Sequence, residues 1–528
     1  MLILQNISYT HPDKELLFNK LSFTVGNNDK IALIGNNGSG KSTLLQIIAG
    51  GLSYAGGQLS IDTQPFYVPQ IFGQYNHLTI AQALKVEDKL KALKDILNGN
   101  ATEDNLNILD DDWMFEERCI DALNYWQLTG LDLSQKIETL SGGQKTKIFL
   151  AGISIHQPEL VLLDEPSNHL DVSGRQLLYH FIQSTSCTLM VVSHDRKLLN
   201  LLNTVYELSR KGITVYGGNY DFYAAQKQIE NNALNQDVFS KEKALRKAKT
   251  KEREALERQQ RSDVRGKKKQ EKAGVARIMM NTLRNHAENS TAKVKDVHAE
   301  KVDAISKNLQ QLRSSLPGID KMKFGFDNAA LHKRKILFTA AAINYGYNNQ
   351  FLWKNNLDFQ ITSGERIALK GLNGSGKTTL LKIILGSLEP QTGKVCRAGN
   401  TSVYVDQDYS LINNQLNVYE QAQQFNTSVL EEHEIKIRLS RFLFTKEDWG
   451  KSCSVLSGGE KMRLMLCCLT IGNQSPDIII LDEPTNNLDI QNVEMLTTAI
   501  NEYEGALMVV SHDEYFLEQI HVERMLTL

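Results

Sequence analysis

One nine-residue pattern occurs twice in this chain of 528 residues and constrains its fold more than any other feature. Gly35-Asn36-Asn37-Gly38-Ser39-Gly40-Lys41-Ser42-Thr43 follows the short apolar run Ile31-Ala-Leu-Ile34 and leads into Leu44, Leu45, Ile47 and Ile48. Gly371-Leu372-Asn373-Gly374-Ser375-Gly376-Lys377-Thr378-Thr379 follows Ile367-Ala-Leu-Lys370 in the same way. Strand, G-x-x-x-x-G-K-[ST] turn and helix form the context in which this motif holds phosphate. The glycines let backbone N–H groups close around anionic oxygens, and the helix N-terminus adds its partial positive charge. Lys41 and Lys377 then suit the outer phosphates of a nucleotide, and Ser42 and Thr378 suit Mg²⁺.

Further pieces repeat in one register. Gln70 closes Tyr67-Val-Pro-Gln70, and Gln407 follows the second loop in the same order. Ser141-Gly142-Gly143-Gln144 and Ser457-Gly458-Gly459-Glu460 each open a helix-like stretch. Apolar strands end in Asp164-Glu165 and in Asp482-Glu483, and later apolar runs end at Ser193-His194 and Ser511-His512. Asp164 and Asp482 are separated by the same offset as His194 and His512. Tyr9 precedes Lys41 by the same interval by which Tyr345 precedes Lys377. Taken singly, each piece has an ordinary explanation. Ser-Gly-Gly is a common turn, a strand tyrosine is a common core residue, and paired carboxylates suit a helix N-terminus. Repetition of the whole set in one register identifies a duplicated domain instead. The copies differ in one place: the stretch from Gln70 to Ser141 is longer than that from Gln407 to Ser457, so the first copy carries an insertion. Within the helical stretch 78–135, Asp110-Asp111-Asp112 reads as solvated charge.

The net charge of −2 conceals a strong asymmetry. Residues 241–335 hold 26 Lys and Arg against 12 Asp and Glu, an excess of +14, which leaves −16 for the rest of the chain. A basic island between acidic domains points to a polyanionic partner. From Gln226 to about Asp263 the chain lacks Pro and Gly and reads as one long helix. Asn289 or Ser290 can cap a second helix, whose stripe Val294, Val297, Val302, Ile305, Leu309, Leu312, Leu316 ends at Pro317-Gly318. The pair is expected to form a hairpin with its turn at about 264–289. That tip would carry Arg265, Lys267, Lys268, Lys269, Lys272 and Arg277 beside Ile278-Met279-Met280, cations for phosphates next to apolar groups for bases.

The six cysteines form no C-x-x-C, which argues against a zinc site or a disulfide framework and fits a reducing compartment. No apolar run approaches the roughly 18–20 residues of a membrane span. Met1-Leu-Ile-Leu-Gln-Asn lacks the charge and long apolar core of a signal peptide, so a cytoplasmic location is expected.

The full motif set, with Ser167-Asn-His-Leu-Asp171 and Thr485-Asn-Asn-Leu-Asp489 after the carboxylates, resembles the ABC-type ATPases. Two such domains, no membrane segment, a basic linker and Tyr216-Gly-Gly-Asn-Tyr220-Asp-Phe-Tyr223 before it resemble the ABC-F class. The resemblance implies an α/β fold: two P-loop ABC ATPase domains, 1–225 and 336–528, joined by a long α-helical hairpin linker, 226–335. It implies ATP and Mg²⁺, with Glu165 and Glu483 orienting the attacking water and His194 and His512 bonding the γ-phosphate. Gln70, Asp164, Gln407 and Asp482 would join Ser42 and Thr378 around the metal, and Tyr9 and Tyr345 would stack on adenine. In such proteins the copies face head to tail. Lys41 would then share an ATP with Ser457-Gly-Gly-Glu460, and Lys377 with Ser141-Gly-Gly-Gln144. The class acts on ribosomes, some members as translation factors and some in protection against antibiotics. The implied partner is therefore the rRNA and tRNA of a ribosome at the linker tip, met by a monomer with two ATP sites. The alternatives are a DNA-processing ATPase and the ATP-binding pair of a transporter, which would need separate membrane subunits.

Overall fold

The computed structural model describes the chain except for residues 12–15, 210–211, 273–298, 314–325, 327, 329–330, 332–333, 348–349, 373, 400, 428, 473 and 487, and the side chains of 259, 263 and 266–272. Two units are distinguished, one comprising Met1–Phe222 with Lys321–Leu528 and the other Tyr223–Asp320.

Each copy is built on a mainly parallel sheet of short apolar strands. In the first copy the order is Phe66–Val68, Leu160–Asp164, Thr188–Val192, Lys30–Ile34, Thr204–Ser209 and Gly212–Tyr216, parallel except for the last pair. Leu160–Asp164 and Thr188–Val192 are buried at every position, as strands covered on both faces must be, and their sequences are accordingly continuous apolar runs. The second copy repeats the order with Ser402–Val405, Ile478–Asp482, Ala506–Val510, Arg366–Lys370 and Arg524–Thr527. A three-stranded antiparallel sheet accompanies each: Leu16–Val25, Leu2–Thr10 and Gly56–Ile61 in the first, Leu357–Thr362, Ile336–Asn344 and Thr392–Arg397 in the second.

The helix after each phosphate loop packs between the two sheets. Leu44, Leu45, Ile47 and Ile48 join Leu2, Leu4, Ile7, Leu162 and Met190 in one buried cluster. Leu380, Leu381, Ile383 and Ile384 join Phe338, Ile343, Ile480 and Met508 in the other. Full burial of each such side chain stabilises by about 1.5–3 kcal/mol, so the loop is clamped by the core on its helical side. The loops and the Asp-Glu pairs all leave the carboxyl ends of parallel strands, where open α/β sheets bind ligands.

The insertion of the first copy is helical. Ile80–Ala83, Glu87–Leu97, Glu103–Leu109 and Phe115–Tyr125 stand where the second copy has Val418–Gln424 and Glu432–Arg441. Asp112 departs from its reading as solvated charge: it pairs with Lys89 at 3.0 Å and with Arg118. These two cations hold its carboxyl below the ordinary range, Arg118 most of all.

In the second unit the helix Tyr220–Lys272 runs for 53 residues, about 80 Å at 1.5 Å per residue. It corrects the expected turn at 264–289. Arg265, Lys267, Lys268, Lys269 and Lys272 lie on this helix, which passes through Gly266. One interior glycine costs only about 1 kcal/mol, too little to stop a helix of good formers. Arg277 and Ile278-Met279-Met280 lie outside the described residues, as does any turn between 273 and 298. Residues 299–313 form a helix whose Val302, Ile305 and Leu312 are half-buried and whose Leu309 is buried. Leu234, Val238, Leu245 and Leu256 of the long helix are half-buried at similar intervals. Arg313 pairs with Glu242 at 2.5 Å, which ties the two helices side by side. The other stripe residues expected, Val294, Val297 and Leu316, lie outside the described residues.

Candidate nucleotide sites

The phosphate loops take the shape that their glycines demand. Gly38 and Gly40 have φ of 78° and 94°, and Gly374 and Gly376 have 84° and 92°. A Cβ on Gly40 would lie 2.6 Å from Leu17, and one on Gly376 3.0 Å from the indole nitrogen of Trp353. Each loop thus rests on an apolar floor, Leu17 and Phe18 in the first copy and Leu352 and Trp353 in the second, which sequence reasoning missed. Trp353 Nε1 also donates to the Ser375 carbonyl at 3.1 Å. Lys41 Nζ arches over its own loop to the Gly35 and Asn36 carbonyls at 2.7 and 3.2 Å. Lys377 repeats this to Gly371 and Leu372 at 2.7 and 3.3 Å.

The carboxylate pairs are held in an uncommon backbone. Glu165 and Glu483 have φ of 51° and 47°, a left-handed conformation that costs a non-glycine residue roughly 1–3 kcal/mol and clusters at functional sites. Their N–H groups donate to Val192 and Val510 at 2.8 Å, fixing the turn to the neighbouring strand. Glu165 then lies 3.3 Å from His194 Nε2, and Glu483 3.5 Å from His512 Nε2. Burial raises both glutamate pKa values, that of Glu483 to about 7. Burial also lowers the histidines, His194 to about 3 and His512 to about 4, so both imidazoles are neutral near pH 7. Tyr67 donates to Asp164 at 3.2 Å, and Tyr404 to Asp482 at 2.9 Å.

These groups converge on one cleft of about 340 Å³ in the first copy. Its wall includes Gly38, Lys41, Ser42, Thr43, Gln70, Asp164, Glu165 and His194, and also Ser457 from the second copy. The head-to-tail expectation is realised in this cleft at the level of atoms. Asp489 of the second copy accepts the Asn37 N–H on Oδ2 at 2.9 Å, while its Oδ1 caps its own helix at Asn492. At the second loop the reciprocal aspartate, Asp171, acts electrostatically on Lys377 and His512.

The polar atoms of the cleft bear on whether a Mg²⁺-nucleotide fits it. Ser39 Oγ, Asp164 Oδ1 and His194 Nδ1 are buried without a partner, and so is Ser375 Oγ in the second copy. Unpartnered buried polar atoms are costly unless something else satisfies them. Hydroxyl, carboxamide and carboxylate oxygens from Ser42, Gln70 and Asp164 suit a hard cation. The site fits the group.

Not every expected residue joins the cleft. Tyr9 sits on its strand with its ring 5.9 Å from that of Phe18, against the core. Tyr345 packs edge-on to Tyr347 at 5.2 Å. Gln144 and Glu460 turn their side chains to their own helices. Gln144 accepts from the Ser141 N–H at 3.0 Å and Glu460 from the Ser457 N–H at 2.8 Å, completing two capping boxes. Gln407 follows the strand Ser402–Val405, and Asn373 lies outside the described residues.

Fold and site together define a twin-domain P-loop nucleotide-binding protein. The family described as ABC transporter matches residues 18–168 and 354–486. The "Putative ATP-binding protein YdiF" of Bacillus subtilis (strain 168) is 33% identical over 536 residues, covering 96% of this chain and 77% of that protein. The "ABC transporter F family member 5" of Arabidopsis thaliana is 28% identical over 552 residues, covering 98% and 73%. Among solved structures, the archaeal ribosome recycling factor aABCE1, in complex with the ribosomal stalk protein aP1, superposes with a TM-score of 0.60 at 19% identity. That superposition covers 99% of this chain and 87% of the other, and it shows the shared fold. The chain belongs to the ABC ATPase family, in its F branch. Domains of this family bind ATP, usually with Mg²⁺. Among the described residues no helix is long and apolar enough to cross a membrane.

Proposed function

We propose that this chain hydrolyses ATP at both sites and uses the cycle to bind the ribosome and remodel it or its tRNA during translation, in the cytoplasm and as a monomer. The target reading is carried by one observation, the basic linker. Residues 241–335 hold 26 cations against 12 anions, and 14 of those cations lie on one helix of 53 residues. A helix about 80 Å long with that charge suits a deep phosphate-lined channel. Membership of the F branch and the ribosomal role stated for the archaeal structural neighbour agree with it.

The hydrolytic reading rests on the carboxylates. Phosphoryl transfer needs positioning and charge neutralisation rather than covalent help, and Mg²⁺ supplies neutralisation at the phosphate oxygens when bound. Ser42 and Asp164, with Gln70, would hold the metal in the first site, and Thr378, Asp482 and Gln407 in the second. Lys41 and Lys377 bring positive charge to the outer phosphates. Glu165 and Glu483 orient the attacking water, and the neutral histidines beside them hydrogen-bond the transferring group. Ser141 and Ser457, with the glycines after them, close each site from the other copy through the N-termini of the helices Gly142–His156 and Gly458–Ile471. Closure therefore depends on the nucleotide, and its hydrolysis releases the two halves. Tyr9 and Tyr345 remain the candidates for the adenine ring.

The test is sedimentation of the Glu165→Gln, Glu483→Gln double variant with ribosomes in ATP. It should pellet with ribosomes, and neutralising Lys267, Lys268 and Lys269 should weaken that binding and flatten its salt dependence. Normal ATP binding with absence from the pellet would overturn the ribosomal reading, and retention on DNA instead would favour the DNA-processing alternative. Drug sensitivity of cells with and without the protein would decide whether the cycle protects ribosomes from antibiotics.

A further inference from the structure

Each nucleotide site contains a tyrosine that the motifs do not account for. Tyr67 stands three residues before Gln70, and Tyr404 three residues before Gln407. Tyr67 lies on the edge strand Phe66–Val68, opposite Leu162 of the parallel strand Leu160–Asp164. Tyr404 lies on the edge strand Ser402–Val405, opposite Ile480 of Ile478–Asp482. Residues paired across a sheet share a face, and so do residues two apart along a strand. Tyr67 therefore shares a face with Leu162 and Asp164, and Tyr404 with Ile480 and Asp482. This face packs on the helix after the phosphate loop. Leu162 and Ile480 belong to the two buried clusters, and the tyrosine rings pack against those clusters. From there each phenol reaches two residues forward along the neighbouring strand.

The hydroxyls meet the carboxylates at the strand ends. Tyr67 donates to Asp164 Oδ2 at 3.2 Å, and Tyr404 donates to Asp482 Oδ2 at 2.9 Å. The same contact thus forms twice, from the same position, in segments whose other residues differ: Phe66-Tyr-Val-Pro-Gln70 and Val403-Tyr-Val-Asp-Gln407. Asp164 is 2% exposed, and its other oxygen, Oδ1, is buried without a partner. A carboxylate with one oxygen fixed and the other buried and unsatisfied suits a hard cation. Groups that hydrogen-bond a metal's ligands orient them, and losing one typically costs about 10–100-fold in metal affinity. One short segment in each copy therefore carries a candidate metal residue, the glutamine, and the group that fixes another, the aspartate.

We infer that Tyr67 and Tyr404 are positioning residues for the Mg²⁺ of the two nucleotide sites, each holding one carboxylate oxygen of its aspartate and leaving the other for the metal. A phenylalanine in the same place would keep the ring packing and lose the hold on the carboxylate. This inference rests on the reading of Asp164 and Asp482 as metal residues.

The test uses the full chain carrying Glu165→Gln and Glu483→Gln, so that ATP is not turned over, with Mn²⁺ as the probe. ATP is held equimolar with the sites, and free Mn²⁺ is read from its paramagnetic resonance signal during a titration. With both tyrosines present, one Mn²⁺ should bind at each site more tightly than to ATP alone. Tyr67→Phe should weaken one of the two by about ten- to hundredfold and leave the other in place, and Tyr404→Phe should do the converse. The double variant should weaken both. Binding of a fluorescent ATP analogue in EDTA should not change in any of the three, which separates an effect on the metal from an effect on the fold of the site. Unchanged Mn²⁺ affinity would overturn the inference. So would a loss of analogue binding in EDTA as large as the loss of Mn²⁺ binding, because the tyrosines would then serve only to support the strand. Mn²⁺ held no more tightly than by ATP alone, with both tyrosines present, would instead overturn the metal reading of the sites, and this inference with it.

Discussion

The first and second nucleotide sites share a backbone and differ in their lids. Both copies have the left-handed glutamate, the lysine folded over its loop and a serine capping box, and Ser457 of the second copy lines the first cleft. At the first site Lys41 is buried at 8% exposure and Asp489 bonds the loop directly, whereas Lys377 is half-buried. The serines and aspartates that each copy turns toward the other are the same in both, Ser141 and Ser457, Asp171 and Asp489, and the difference lies in the charged residues along the interface. The interface is polarised accordingly. Arg196 and Lys197 of the first copy pair with Glu494 and Glu514 of the second, and Arg196 lies 4.3 Å over the Tyr515 ring. Two first copies facing one another would set Lys197 against Arg196, and two second copies Glu514 against Glu494, so the pairing favours one copy of each.

The strongest challenge to the likeness of the two backbones is removal of both water-orienting groups. Glu165→Gln with Glu483→Gln should lower phosphate release at least about a hundredfold while nucleotide binding persists. Either single variant should leave turnover at the other site. Complete loss from one single variant would show that the sites do not act separately.

A smaller effect separates the loops themselves. A Cβ on Gly35 would lie 2.4 Å from the Leu208 carbonyl, and the residue has φ of 155°. A Cβ on Gly371 meets the Ser375 hydroxyl at 2.4 Å, which can rotate away, and the Cβ atoms of Ser375 and Leu528 at 3.3 and 3.4 Å, which need give only slightly. Gly35→Ala should weaken ATP binding at its loop by about tenfold or more, the cost of an enforced backbone shift of roughly 1–3 kcal/mol. Gly371→Ala should change binding less than Gly35→Ala, as measured by titration with a fluorescent ATP analogue. Equal losses would mean that the two loops are strained alike.

The smallest expected effect concerns the helical subdomains. Asp112→Asn breaks the Lys89 and Arg118 contacts of the first copy's insertion and should cost about 1.5–3 kcal/mol of stability at pH 7 in urea unfolding. The folded carboxyl titrates below its unfolded value, so its contribution is fully present above that value and is lost as pH falls through the folded one. The gap between wild type and variant should hold from pH 7 to about 5 and shrink below about 4. A gap that widened on acidification would contradict the ion-pair account.

Much of this architecture was legible in the sequence. The strand–turn–helix around each lysine is dictated by a short run of neighbouring residues, and the repeat register identified the carboxylates and histidines as a set. The unread features have physical reasons. The left-handed turn at Glu165 and Glu483 is imposed by hydrogen bonds to a strand that lies a whole helix further along the chain. Gln144 and Glu460 suit a capping box as well as a ligand, and only geometry separates the two. The long helix passed Gly266 because one glycine is a weak terminator among good helix formers. Asp112 looked solvated because its cations are distant in sequence or belong to the next helix.

That facing arrangement is the centre of the account, and one measurement tests it directly. In the Glu483→Gln background only the first site, with Lys41 and Glu165, can turn over. Ser457→Arg should then abolish single-turnover ATP hydrolysis, and Ser141→Arg in the same background should reduce it at least about tenfold less, because Ser457 is the serine that lines the first cleft. Equal losses, or a greater loss from Ser141→Arg, would contradict the account.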